Sequence, residues 1–320
     1  MKKVAIILAT YNGERYLSEQ LESLRKQTYK NIKVYIHDDG SSDKTLDIIK
    51  EYVEHKRGTI EFELFSKKSL RYPMCFINTL LEIPKADYYA FCDQDDVWNE
   101  DKIEKAVKAI EKFGEESKPS LFYSAVDYYD GNLNYIRNAR FIDHKKPTVA
   151  KYSLQEMLLG GEAMGMTFLF NNCLRDVMRT VVQNGGNDFK DTFMKIYCAA
   201  KGIVIYSSEP CAKYRRHASA TTVGMNPAGK FHRLLNMANK IYLQKDGMAS
   251  IQDTINYLNV HDLENMSQEN KRIIELFAQP NTMDKKVKKV FYRGRFRLFL
   301  TDEIGYRLHF CLAVSKKGEE

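Results

Sequence analysis

An α/β fold with a doubly wound sheet is what this sequence predicts, and three observations predict it. Between Lys3 and Ile110, short apolar runs alternate with segments whose apolar residues recur at helical spacing. That alternation is the pattern of β-α-β units with right-handed crossovers. The first run is continuously apolar, as in a strand covered on both faces of a parallel sheet. Clusters of aspartate close two of the runs, at the strand ends where open α/β sheets bind ligands.

In order, residues 3–9 read as the first strand, ended by Thr10-Tyr11-Asn12-Gly13. Leu17, Leu21 and Leu24 mark a helix, and residues 31–37 a second strand. After Asp38-Asp39-Gly40-Ser41-Ser42-Asp43, Ser42 or Asp43 caps a helix through Leu46, Ile49 and Val53. Residues 60–65 form a third strand, and Pro73 fits the first turn of a helix through Phe76 and Leu80. Ala86-Asp87-Tyr88-Tyr89-Ala90 is a buried strand that runs into Phe91-Cys92-Asp93-Gln94-Asp95-Asp96-Val97-Trp98; a helix with an acidic first turn starts at Asn99. Residues 120–126 are expected as one strand, 128–132 as a hairpin turn, 138–152 as a polar loop and 164–170 as a strand. Helices follow around Leu174 and over 191–200, then short strands at 203–206 and 212–215 and a polar loop over 216–227. From Phe231 on the pattern is helical, so the chain is read as domains 1–228 and 229–320.

Composition narrows the function classes. The 320 residues suffice for a sizeable core, and no run of about 18 apolar residues suggests a membrane span. Residues 1–8 resemble a leader, but the run is short and lacks a cleavage pattern, so a cytoplasmic protein is expected. The six cysteines are scattered without C-x-x-C, which favours buried thiols over disulfides or zinc. A net charge of +7 permits contact with phosphates or an anionic membrane face and does not demand nucleic acid.

Four constellations carry chemistry. Asp93, Asp95 and Asp96 would repel one another unless a cation joined them, and carboxylate oxygens suit Mg²⁺ or Mn²⁺. The alternative is an acidic loop that caps the next helix. In Asp38-Asp39-Gly40-Ser41-Ser42-Asp43 one carboxylate can accept the N3–H of a pyrimidine base, or the run is an Asx-type turn with a helix cap. Asp191, opening a helix after Lys190, reads as a general base or as a first-turn acid. Arg215, Arg216 and His217 suit a diphosphate, or form a solvated basic loop. The chain lacks G-x-G-x-x-G and G-x-x-x-x-G-K-[ST].

Taken together, Ala9-Thr10-Tyr11-Asn12, the Asp38–Asp43 loop, Cys92-Asp93-Gln94-Asp95-Asp96-Val97-Trp98, Lys190-Asp191 and Tyr214-Arg215-Arg216-His217 resemble the family 2 glycosyltransferases of GT-A fold. The likeness covers roughly residues 3 to 224 and is greatest to the rhamnosyltransferase-like branch that builds bacterial surface polysaccharides. The chain departs from that branch at Lys190, at Ala220 and at Ser69-Leu70-Arg71-Tyr72-Pro73, which bears on the donor sugar. The resemblance implies an inverting, metal-dependent transfer of a sugar, rhamnose ahead of a UDP-hexose, from a dTDP or UDP donor to a saccharide acceptor. It implies metal at Asp95 with Asp93, donor contacts at Thr10, Tyr11, Asn12, Asp39, Gln94, Arg215, Arg216 and His217, and Asp191 rather than Asp188 as the base.

Two other classes bound that expectation. A nucleotidyltransferase needs a glycine-rich basic loop after the first strand, which is missing. An inactive carbohydrate-binding protein would not need Asp93, Asp95 and Asp191 together. The segment 284–297 mixes dense positive charge with aromatic residues, and is expected either to touch an anionic membrane, bringing the enzyme to a lipid-linked acceptor, or to be a solvated basic helix.

Overall fold

The computed structural model describes residues 1–54, 58–139, 146–158, 164–184, 191–217, 247–278, 280, 282–293 and 307. The chain divides into two compact units, one of Met1–Lys151, Ala163–Met194 and Gly202–Val223, the other of Tyr152–Glu162, Lys195–Lys201 and Gly224–Glu320. The boundary expected at residue 228 lies outside the described residues, as do Asp188, Lys190 and Ala220.

In the first unit, β1 (Val4–Thr10) pairs in parallel with β2 (Ile32–Asp38) on one side and β4 (Tyr88–Asp93) on the other. Strand β3 (Glu61–Ser66) extends the sheet beyond β2. Beyond β4, the short β10 (Leu169–Asn171) runs antiparallel to both β4 and β6 (Ser120–Ser124), and β11 (Ile203–Ser207) runs parallel to β6. With β9 (Val149–Tyr152) the order among the described residues is β3-β2-β1-β4-β10-β6-β11-β9. The chain winds outward from β1 in both directions, which opens a crevice at the carboxyl ends of β1, β2 and β4. Register brings the ends together: Thr10 lies beside Asp38, and Ala9 beside Asp93.

Val4, Ala5, Ile6, Ile7 and Leu8 of β1, and Tyr88, Tyr89, Ala90, Phe91 and Cys92 of β4, are all buried, which explains why these strands read as continuous apolar runs. Helices α1 (Leu17–Arg25), α2 (Thr45–Glu54), α3 (Met74–Glu82) and α4 (Lys102–Phe113) alternate with these strands, and α1 and α4 bury Leu17, Leu21, Leu24, Ile103, Val107 and Ile110. Asn171 caps α6 (Asn172–Gln183), accepting the Leu174 N–H at 3.2 Å. Cys75, Cys92, Cys198 and Cys211 are buried free thiols.

Three expectations are corrected. Residues 120–126 are not one strand: at Ala125 the chain leaves the large sheet, because its N–H bonds the Ser207 carbonyl and its carbonyl accepts from Cys211 N. It then enters a smaller sheet, β5 (Val97–Trp98), β12 (Ala212–Arg216), β7 (Val126–Asp130) and β8 (Tyr135–Ala139), in that order. Val97 and Trp98 therefore pair with β12 before α4 begins. The expected loop over 138–152 contains β9, and the expected strand over 164–170 starts as a 3₁₀ turn, Gly165–Thr167.

In the second unit, α5 (Leu154–Leu158), the later turns of α7 (Asp191–Lys201), α8 (Gly247–His261), α9 (Gln268–Phe277) and α10 (Met283–Val290) are the described elements. Leu258, Ile273, Ile274 and Phe277 are buried. Asp262, just after α8, accepts from both Tyr197 and Lys201.

Candidate active site

The first two strand-end loops are stitched to each other by side chains. Asp38 is fully buried, and its carboxylate accepts from Thr10 Oγ1 (3.0 Å), Ser41 Oγ (2.6 Å), Ser41 N (2.9 Å) and Gly40 N (3.2 Å). Asn12 sits at φ +46° and accepts from Ser42 N at 2.9 Å, while its own N–H goes to Ser41 Oγ at 2.9 Å. The Thr10 and Asn12 side chains, expected to line a ligand pocket, thus build the loops that frame it. Gln94 does the same between β4 and β1: its amide accepts from Tyr11 N (2.9 Å) and donates to Tyr11 O (2.8 Å). A Cβ at Gly13 would lie 2.1 Å from Gln94 Oε1 and push the amide off this bond. What these bonds hold out to solvent is the Tyr11 ring, 58% exposed.

Asp39 lies next to this frame. Its N–H donates to the Thr10 carbonyl at 2.8 Å, and its carboxylate accepts the Arg71 N–H at 3.0 Å and the Leu70 N–H. It therefore sits at the loop 66–73, the segment where the sequence departs from the branch it resembles.

The end of β4 is electrostatically different. Burial, then the neighbouring Asp95 and Asp191 carboxylates, push Asp93 up to about 7, against a partial lowering by Lys102. The Asp191 charge thus bears on Asp93 although Asp191 lies on a helix far along the chain. The Asp191 carboxylate accepts the Gly165 N–H at 2.6 Å, which ties the start of α7 to the 3₁₀ turn. Asp95 Oδ2 lies 2.9 Å from His217 Nε2, and the His217 ring packs 4.8 Å from Tyr16.

Asp96 faces the other way. It is buried, it accepts Arg215 N at 3.0 Å, and burial with the Asp95 and Asp93 charges holds its carboxyl well above the usual range. Arg215, expected on a diphosphate, is buried: its guanidinium donates to the carbonyls of Asp95 and Gly131 (2.8 Å each) and to Glu19, over the Tyr16 ring. It clamps the acidic turn to β12. Arg216 packs 5.3 Å from the Tyr128 ring and is half-buried.

Sequence reasoning missed Lys102, Glu19 and Tyr16. Lys102 is 1% exposed, with its ammonium 3.0 Å from the Trp98 ring centroid, and burial lowers it to about 8. Lys102 Nζ, Asp96 Oδ2 and Trp98 Nε1 are buried polar atoms without a hydrogen-bond partner among the described residues. The lysine supplies positive charge beneath the acidic turn. Its only signal in the sequence is a place in the first turn of the helix that follows that turn.

Residues 5–175, more than half of the chain, match the family model Glycosyl transferase family 2. The chain belongs to glycosyl transferase family 2. Within the family it is 27% identical to the dTDP-rhamnosyl transferase RfbG of Shigella flexneri over 248 residues, 73% of this chain and 80% of that one. It is 34% identical to WfaP of Escherichia coli, a UDP-Glc:alpha-D-GlcNAc-diphosphoundecaprenol beta-1,3-glucosyltransferase, over 40% of this chain and 47% of that one. The chain spans about two fifths of the length of the first curated relatives it matches. Residues 1–349 of S. aureus TarS, solved in complex with UDP-GlcNAc, share the fold at 17% identity and a TM-score of 0.53, over 96% of this chain and 90% of that one. That likeness agrees with the GT-A expectation.

Proposed function

We propose that this family 2 protein is an inverting, metal-dependent glycosyltransferase of bacterial surface polysaccharide assembly. It would move a sugar from a nucleoside diphosphate to a saccharide acceptor. The observation that carries the reading is His217 at 2.9 Å from Asp95, in a turn where the Asp95 and Asp191 charges bear on the buried Asp93.

The acidic pair fits a divalent ion. An acid raised to about 7 by burial and by its neighbours' charges is one that a bound cation would relieve. Among the described residues no group of three or more acidic, histidine or cysteine side chains forms a ready cage. Mg²⁺ and Mn²⁺ need none, since one or two carboxylates plus substrate phosphates and water suffice. Asp95 and Asp93 would hold the ion, which supplies Lewis-acid charge to the leaving diphosphate.

The remaining roles belong to the chain. Tyr11, exposed on the stitched frame, gives the base a face to stack on, and Asp39 accepts its N3–H. His217 and Arg216 lie on the diphosphate side. Asp191 takes the proton of the acceptor hydroxyl as that oxygen bonds to the anomeric carbon and the bond to the diphosphate breaks on the opposite face. One displacement inverts the centre, through an oxocarbenium-like transition state.

Rhamnose from dTDP is the first choice of donor, supported by the length of the RfbG alignment. A UDP-hexose is the second, supported by WfaP. WfaP's printed acceptor also supports a lipid-linked saccharide here. The test is a thermal-shift and diphosphate-release screen of dTDP-, UDP- and GDP-sugars with and without Mn²⁺. Mn²⁺-dependent stabilisation and release with a dTDP- or UDP-sugar is expected. Stabilisation without turnover under any condition would make the protein an inactive binder, and tighter binding of GDP would sink the pyrimidine assignment.

A further inference from the structure

Helix α10 carries its polarity inside out. Its sequence, Met-Asp-Lys-Lys-Val-Lys-Lys-Val, holds four lysines and one aspartate. Lys289, 1% exposed, lies against the Phe277 ring at 5.2 Å, and Lys285 Nζ donates to the Ala278 carbonyl at 3.0 Å. Both point at the end of α9. The apolar residues do the reverse. Met283 is 73% exposed, Val287 52%, and Phe291, just past the last turn, 77%. At spacings of four these three form one stripe, because a residue and its i+4 neighbour lie on the same helix face. A helix serving only its own core would bury that stripe and leave its lysines in water.

We infer that this face of α10 docks on an anionic lipid surface. Lys286 and Lys288 lie about 100° to either side of Val287, from the helical repeat. Their long stems can reach phosphate headgroups while Val287 and Phe291 enter the acyl boundary. Arg293 follows the stripe, and Asp284, the lone acid, is already paired with Lys288 at 2.6 Å. Charge complementarity therefore selects a negative surface, and a single short stripe selects an interface over a span. Among the described residues no helix is long and apolar enough to cross a membrane. The basic run continues in the sequence to Arg297, beyond the described residues. The inference does not depend on the proposed transfer chemistry.

The experiment is co-sedimentation of the full chain with phosphatidylglycerol–phosphatidylcholine vesicles and with phosphatidylcholine vesicles, over a range of salt. The wild type should bind the anionic vesicles and lose binding as salt rises. Val287→Ser with Phe291→Ser, which leaves the charge unchanged, should weaken partitioning by about tenfold or more. Lys286→Gln and Lys288→Gln should each weaken it about fivefold. Thermal melts should be unchanged in every variant, which separates a docking defect from misfolding. Absence of wild-type binding at low salt would overturn the inference, as would an unchanged Val287→Ser/Phe291→Ser variant. A concentration-dependent dimer lost in that variant, without vesicle binding, would assign the stripe to a second copy instead.

Discussion

Two acidic turns at neighbouring strand ends look alike in sequence and behave oppositely in the fold. The turn after β2 holds Asp38, Asp39 and Asp43; the turn after β4 holds Asp93, Asp95 and Asp96. In the first, carboxylates meet donors: Asp38 accepts four hydrogen bonds, and Asp43 accepts from Glu14 N and from Thr45. Hydrogen bonds lower Asp43 below the usual carboxylate range although burial opposes them. In the second, the Asp95 and Asp191 charges bear on the buried Asp93. A carboxylate supplied with N–H and O–H groups is held ionised as a structural element; one buried among like charges is pushed toward its protonated form unless a cation joins it, as the proposed mechanism requires. The number of aspartates does not separate the two cases, and the supply of donors does.

The largest test of that contrast removes Asp95. Asp95→Ala should abolish Mn²⁺-dependent nucleotide binding and lower transfer on the order of 10⁴-fold, the several kcal/mol a metal contributes to a leaving diphosphate. Full transfer by the wild type in EDTA would break the comparison, because the second turn would then need no cation.

Next is Asp191. Asp191→Asn should keep the fold and donor affinity yet lose transfer on the order of 10²–10⁴-fold. The parallel measurement is Asp188→Asn. A loss confined to that variant would move the base three residues toward the N-terminus, and no loss in either would place it elsewhere.

A third test reads the second turn without turnover. A folded-state Asp93 near 7, against an ordinary value of 3.8, binds more protons folded than unfolded between those limits. Metal-free stability should therefore fall as pH rises from about 4 to about 7 through this group. Saturating Mn²⁺ should flatten the decline, and Asp95→Asn should flatten it without metal. The measurement is Tm against pH for the three samples; an identical slope in all of them would mean the carboxylates do not sense one another.

How much of this was legible in the sequence follows from the same physics. The order of strands and helices could be read because β1 and β4 are apolar on both faces, β2 is apolar on one, and the helices repeat at 3.6. The switch at Ala125 could not, since it rests on backbone bonds to Ser207 and Cys211, far along the chain. Asp93, Asp95, Asp191 and His217 could be nominated because residue type and strand-end position suffice for that. Thr10, Asn12, Gln94 and Arg215 were nominated on the same grounds, yet their polar atoms bond the frame itself. Lys102 and Glu19 were missed because a helical Lys or Glu reads as solvated until the tertiary structure shows what it faces. A stripe such as that on α10 has the same cause: spacing finds its apolar residues, and only packing tells which face turns outward.

The smallest effect is expected at Asp39, which belongs to the first turn in sequence but stands between the two classes. Its carboxylate accepts the Arg71 and Leu70 N–H groups, as a structural acid does, and its side chain is still 13% exposed at the rim. If it also binds the base, Asp39→Asn removes a charged acceptor from a contact made equally in ground and transition states. Nucleotide affinity should then fall about tenfold, the worth of one hydrogen bond to a charged group, with kcat nearly unchanged because uniform binding is what is lost. Asp38→Asn supplies the contrast, since it leaves buried donors unsatisfied. It should lower stability by about 1–3 kcal/mol and change nucleotide affinity only as far as the frame loosens. Calorimetry with UDP and dTDP, beside chemical denaturation of both variants, measures the pair. A stability loss without an affinity loss at Asp39 would place it with Asp38, and would leave Tyr11 as the base contact that the frame supplies.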